Sequence, residues 1–117
     1  MSTETIPAST EIGYEDFAKL QLRTGKVVGA ERHPNADRLL VLKVDIGEPE
    51  PRTIVAGIAA VYKPEDILGQ QIVVVANLKP AKLRGVVSQG MLLAAGGPEV
   101  AALVRPAQEL PPGTVVK

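Results

Sequence analysis

The sequence predicts an all-β fold, a small closed or nearly closed barrel of five short strands. Three observations predict it. Five runs of strand length carry alternating or β-branched apolar residues. The prolines, and the glycines that accompany them, fall between those runs rather than inside them, at Pro34, Gly47 to Pro51, Pro64, Pro80 and Gly96-Gly97. Proline lacks the N–H that a central ladder needs, so this placement supports the strand boundaries. Finally, only Tyr14, Phe17 and Tyr62 are aromatic among 117 residues. The core must therefore be built from Val, Leu, Ile and Ala, and no alternating long helices are available to cover an open sheet.

Taken in order, residues 1–12 read as a flexible lead-in, polar and aperiodic, and residues 13–117 as one domain. Tyr14, Phe17 and Leu20 recur at helical spacing, with Glu15 and Asp16 in the first turn where negative charge suits the helix dipole. This predicts a short helix packed over the mouth of the barrel. The first strand, Leu22–Arg32, is long, and Gly25 and Gly29 inside it mark a bulge or barrel corner. In the second, Leu39–Asp45, Leu40, Leu42 and Val44 face one way and Val41, Lys43 and Asp45 the other. Arg52–Ala56 is the third strand. Pro64 to Leu68 reads as one helical turn with proline at its start. Gln71–Asn77 and Val86–Ala95 complete the set. A helical turn between strands three and four is where an oligonucleotide-binding (OB) barrel keeps its own, so the predicted architecture is a five-stranded OB fold; an SH3-like barrel or a sandwich also fits the pattern. Beyond residue 95 the chain is an extended segment held open by Pro106, Pro111 and Pro112. Its Val100, Leu103, Val104, Leu110, Val115 and Val116 need burial, against the barrel or against a second copy.

Several function classes are disfavoured. The longest apolar stretch, Ile54 to Val61, is eight residues with a glycine, far below the ~20 that cross a bilayer. No charged and apolar leader opens the chain, so a cytoplasmic protein is expected, with no membrane partner. Cysteine is absent and His33 is the only histidine, which leaves neither thiolate chemistry nor a transition-metal ligand set. Gly25-Lys26 lacks the remainder of a phosphate-binding P-loop. No catalytic residue, metal or cofactor is expected, and the chain is read as a binding module rather than an enzyme.

Charge is distributed unevenly. Thirteen Lys and Arg balance thirteen Asp and Glu, yet residues 1–16 hold four acids and no base. Ile67 to Pro98 contains no acid, but carries Lys79, Lys82 and Arg84. These cations occupy a loop stiffened by Pro80 and bent by Gly85, followed by Ser88 and Gln89, small polar groups suited to phosphate or ribose, and Gly90. Arg23, Lys26, Lys43 and Arg52, on the first three strands, extend the positive face. Single-strand binders stack bases on exposed rings, and three rings cannot supply a platform. Duplex-like RNA is read through phosphates, shape and 2′-hydroxyls, so the composition favours structured RNA.

The segments His33-Pro34-Asn35-Ala36-Asp37-Arg38-Leu39, Pro51-Arg52-Thr53-Ile54-Val55-Ala56-Gly57-Ile58, Asn77-Leu78-Lys79-Pro80-Ala81-Lys82-Leu83-Arg84-Gly85 and Ser88-Gln89-Gly90-Met91 resemble, in order and spacing, the tRNA-binding domain family. That family includes free-standing bacterial tRNA-binding proteins, the C-terminal domain of many methionyl-tRNA synthetases and the domain of the endothelial monocyte-activating polypeptide II type. The resemblance covers about Asp16 to the C-terminus. It implies an OB barrel that binds tRNA by shape, a homodimer formed through added terminal segments, and methionyl-tRNA synthetase as a partner. It also implies contacts by the basic loop, including Asn77, and by the Ser88–Met91 turn, although Met91 also reads as a core residue. Asn35 and Asp37 read as turn formers. A related branch resembles a secretion-linked chaperone that binds unfolded peptides on the same barrel, and this is the alternative. Whether the chain is a complete gene product or a synthetase fragment is open, Met1 favouring the former.

Overall fold

Residues 10–97 and 99–117 are described by the computed structural model; most of the lead-in, residues 1–9, lies outside the described residues. The strands are β1 (Leu22–Arg32), β2 (Leu40–Asp45), β3 (Arg52–Ala56), β4 (Gln71–Val75), β5 (Ala81–Leu83), β6 (Val86–Ser88), β7 (Met91–Leu92), β8 (Ala94–Gly97), β9 (Val100–Leu103) and β10 (Val115–Val116). Among the described residues two single-turn α-helices accompany them, α1 (Tyr14–Phe17) and α2 (Pro64–Ile67). The main sheet is antiparallel in the order β3-β2-β1-β4-β7, with β10 added to the start of β1. This is a nearly closed OB-like barrel, as the sequence predicts.

The long β1 builds the barrel by serving two partners. Its first half, Leu22 to Lys26, pairs with β4, and its second half, Lys26 to Arg32, pairs with β2. The sheet must bend where one partner gives way to the other. Gly25 sits at that bend, where a Cβ would lie 2.6 Å from Val44 Cγ1. The register then shifts between Val27 and Gly29. Both glycines thus mark the corner: at Gly25 only a residue without a side chain lets the strands approach so closely, and at Gly29 a Cβ would press on Lys43 Cβ at 3.3 Å.

Alternation sorts the side chains into two cores. Leu40, Leu42, Val44, Ile54, Ile72 and Val74 fill the barrel, and Ile67 of α2 joins them, fully buried. On the opposite face, Leu22, Val73 and Val75 form a smaller cluster covered by Phe17, Leu93 and Val116. At roughly 25 cal/mol per Å² of buried apolar surface, such aliphatic burial is the main stabilising contribution.

Three expectations are corrected. The N-terminal helix stops after one turn and buries only Phe17 in part; Tyr14 is 74% and Leu20 45% exposed. A single turn has too few hydrogen bonds to hold a longer stripe together. The fourth strand ends at Val75, because Asn77 turns its amide to other work. The fifth strand breaks into β6, β7 and β8. Gly90 interrupts it at φ +128°, where a Cβ would meet the Val75 carbonyl at 2.9 Å. The tail is pinned to the barrel chiefly by polar bonds. Thr24 donates to the Pro111 carbonyl at 3.0 Å, and the Gln71 side chain brackets both backbone groups of Leu110. Leu103 and Val116 pack on the clusters, while Val104, Leu110 and Val115 stay exposed.

Candidate nucleic-acid interface

The basic segment folds into a hairpin. Leu83 and Val86 pair across a two-residue turn whose residues, Arg84 and Gly85, both have positive φ, +51° and +93°. Such turns match the right-handed twist of the flanking strands, and glycine at the second position suits them. Arg84 is the one non-glycine residue at positive φ among the described residues, and its guanidinium donates to the Asn35 carbonyl at 3.1 Å. Lys79 and Lys82 are exposed, and neither meets a hydrogen-bond or ion-pair partner among the described residues.

Ser88 and Gln89 do something other than face solvent. β3 is the last strand of the main sheet, so its outer N–H and C=O groups need partners. Val55 donates its N–H to Ser88 Oγ at 2.9 Å, and that hydroxyl donates onward to the Gly90 carbonyl at 2.8 Å. Thr53 donates to Gln89 Oε1 at 2.9 Å and accepts from the Gln89 amide at 2.7 Å. These bonds close the barrel where strand pairing stops. Ser88 is 3% exposed with both capacities of its hydroxyl engaged within the protein, so it shapes the turn instead of offering a donor outward.

Other sequence-chosen residues are likewise engaged. Asn77 accepts from the Gln21 amide at 2.9 Å and donates to the Lys19 carbonyl at 2.7 Å, tying the end of β4 to the entry of β1. Arg52 grips Glu48 through two bonds, 2.8 and 3.0 Å, and also donates to the Ala76 and Gln89 carbonyls. The paired guanidinium holds the Glu48 carboxyl below its usual range, and the carboxylate in turn raises Arg52. Arg23 is half-buried and donates to the Gly113 carbonyl at 3.1 Å; its charge also lowers Glu48. Lys26 is half-buried in β1, in register with Asp45 and Gln71.

Lys43, Arg52 and Gln89 meet along one open groove of about 760 Å³, between the loop at Glu48 to Pro51 and the hairpin's approach at Leu78 and Pro80. Lys43 donates to Thr53 Oγ1 there at 2.6 Å. Glu48 and Glu50 line the same groove, so it carries mixed charge. Arg23 lines a separate surface with Tyr14 and Val115. Met91 is 47% exposed, and it borders a mainly apolar groove of about 610 Å³ with Ile58, Leu83 and Ala101.

His33 is the residue whose place here sequence reading missed. Asn35 donates its N–H to Nδ1 at 3.0 Å, so Nδ1 is unprotonated and Nε2 carries the hydrogen, which it donates to the Leu83 carbonyl at 3.0 Å. The turn after β1 is thereby joined to the hairpin tip. Arg32 and Arg38, both exposed, flank that turn. Their signal was available in the sequence as two cations bracketing the His33 turn, but only the fold brings that turn to the basic segment.

A family model described as "Putative tRNA binding domain" matches residues 22–115. The chain is 53% identical over 106 residues to a methionine–tRNA ligase of Pyrococcus horikoshii, an alignment that covers 91% of this chain and 14% of the ligase. The chain thus spans about one-seventh of the length of that relative. Among solved structures, a MetRS related protein from Pyrococcus horikoshii superposes with a TM-score of 0.84 at 39% identity, covering 92% of this chain and 98% of that one. The chaperone CsaA of Bacillus anthracis superposes with the same TM-score of 0.84 at 36% identity, covering 92% and 100%.

Proposed function

The chain belongs to the tRNA-binding domain family whose model matches residues 22–115, and on that premise we propose that it is a structure-specific tRNA-binding module. It acts as a homodimer and serves methionyl-tRNA synthetase, either as a free-standing accessory or as its C-terminal domain, in the cytoplasm. The observation that carries this reading is the β5–β6 hairpin and the residues that lead into it, which leave Lys82 on the hairpin and Lys79 just before it in solvent, each side chain without a partner among the described residues. Phosphates need such cations, and a ring-poor surface suits the contour of folded RNA better than stacked single strands. Arg84 and Lys43 extend the contact. Arg52, neutralised by Glu48, positions the turn at Gln89 rather than neutralising phosphate. The exposed Val104, Leu110 and Val115 supply apolar surface for a second copy. Titration of folded tRNA at several salt concentrations tests the proposal: affinity must fall steeply with salt.

The mainly apolar groove beside Met91 and Leu83 favours a second reading, a peptide-binding chaperone, and the structural likeness to CsaA accords with it. A gel-shift comparison of folded tRNA, single-stranded RNA and an unfolded polypeptide separates the two. Preference for folded tRNA supports the first reading, and salt-insensitive capture of polypeptide the second.

A further inference from the structure

We propose that His33 is a positioning residue for RNA binding: through Nε2–H it holds the basic hairpin against the turn after β1. The inference rests on the tRNA-binding reading. His33 is 5% exposed, yet the imidazole uses both nitrogens, one for its own turn and one for the hairpin. The hairpin needs such a hold. Its strands are three residues each, and among its residues Ala81 to Val87 only Val86 is even half-buried. A ribbon so short and so wet has little stability of its own. The bond from His33 falls on the Leu83 carbonyl, immediately before the Arg84-Gly85 turn, and Arg84 completes the clasp by donating back to Asn35.

The clasp has a consequence for binding. It places the hairpin, with Lys82 and Arg84, beside the turn flanked by Arg32 and Arg38, so that separate loops present one rim in which four cations outnumber two acids, Glu31 at the end of β1 and Asp37 in the turn. A loose hairpin carries the same charge, but it must be ordered each time RNA binds, which lowers affinity. Histidine suits the task because its two nitrogens point in different directions at fixed separation, and neither bond needs a charged ring.

Two isosteres separate the two bonds. In His33→Asn the side-chain oxygen replaces Nδ1 and still accepts from the amide two residues on, as asparagine does in turns, but the reach to Leu83 is lost. In His33→Gln the amide nitrogen replaces Nε2 and still reaches the Leu83 carbonyl. Hydrogen exchange over residues 81–88 and affinity for folded tRNA are measured on both variants and the wild type. Expected are faster hairpin exchange and affinity lower by about three- to tenfold in His33→Asn, the effect of one lost hydrogen bond, with both restored toward wild type in His33→Gln. Equal affinity and equal exchange in the two variants overturn the positioning role, as does equal loss in both. A wild-type chain that fails to bind folded tRNA sinks the tRNA-binding reading, and the inference with it.

Discussion

The Val55 backbone amide donates to the Ser88 hydroxyl at 2.9 Å, across the edge where β3 has no strand to pair with. A side chain here does what a ladder does elsewhere. Replacing Ser88 with alanine strands a buried N–H, which costs about 1–3 kcal/mol. Ser88→Ala is therefore expected to lower the urea midpoint while tRNA affinity, measured well below that midpoint, changes less than twofold. A large loss of affinity in a fully folded Ser88→Ala would reinstate the hydroxyl as an RNA contact.

For the hairpin, the expectation concerns salt. Each lysine that neutralises a phosphate contributes about one unit to the slope of log affinity against log salt. Lys79→Ala with Lys82→Ala is expected to flatten that slope by up to about two units and to weaken binding equally for different folded tRNAs. Because both side chains are exposed and unpartnered, the thermal midpoint is expected to stay within a degree or two of wild type. An unchanged slope removes these residues from the interface.

The barrel was legible in the sequence because its signals are local. Alternation at Leu40, Leu42 and Val44, and proline kept out of the runs, report which face is buried and where strands stop. Gly25 and Gly29 reported the corner for the same reason. The breaks at Gly90 and after Val75 were not legible, since one arises where a backbone passes the Val75 carbonyl and the other accompanies the bonds of Asn77 to Gln21 and Lys19, all partners remote in sequence. The site was half legible. Lys79 and Lys82 stand in solvent as a run without acids suggests. Asn77, Ser88 and Gln89 share their polar chemistry, yet partners far along the chain, Gln21, Val55 and Thr53, had already claimed it. Composition cannot distinguish a free hydroxyl from one engaged across the fold.

The tail yields an expectation about stability. Gly113 has φ +88°, and a Cβ there would lie 2.3 Å from the Ile46 carbonyl oxygen. Its own N–H donates to the Thr24 carbonyl at 2.7 Å. Gly113→Ala is expected to cost at least the ~1–2 kcal/mol of the left-handed conformation, and to release β10 from β1. Chemical denaturation gives the first quantity, and hydrogen exchange at residues 115–116 the second. Retention of wild-type stability would show that the tail is not held as described.

Association is tested at the same segment. Leu110 is 37% and Val115 56% exposed in the single chain, so a charge at Val115 does little to the folded protomer, while one at the more covered Leu110 forfeits part of that side chain's burial, about 1 kcal/mol. Leu110→Asp with Val115→Asp is expected to lower the denaturation midpoint of a dilute sample only modestly, leaving the protomer folded. In sedimentation, the same double variant should shift from dimer to monomer. A dimer that survives both substitutions places the interface elsewhere.

Glu48 and Arg52 predict a pH dependence with a definite sign. The folded-state carboxyl titrates below its ordinary value of 4.5, chiefly through its hydrogen bonds to Arg52. A depressed carboxylate contributes stability that is present above the unfolded value and is lost as pH falls through the folded one. The pair's contribution should thus be intact at neutral pH and be lost progressively as pH falls below 4.5 toward the lower folded-state value. Glu48 is largely exposed, so the effect on stability belongs to the range of surface pairs, at most about 1 kcal/mol. Glu48→Gln should therefore be slightly less stable than wild type at pH 7, with the gap narrowing as pH falls below 4.5, read as the difference between their urea midpoints. The same substitution removes a negative charge from the groove that Lys43 and Arg52 line. Affinity for tRNA is accordingly expected to rise, and to rise most at low salt, where screening is least. Weaker binding by Glu48→Gln would mean that Glu48 supports the RNA-bound geometry through Arg52, outweighing the repulsion it exerts on phosphate.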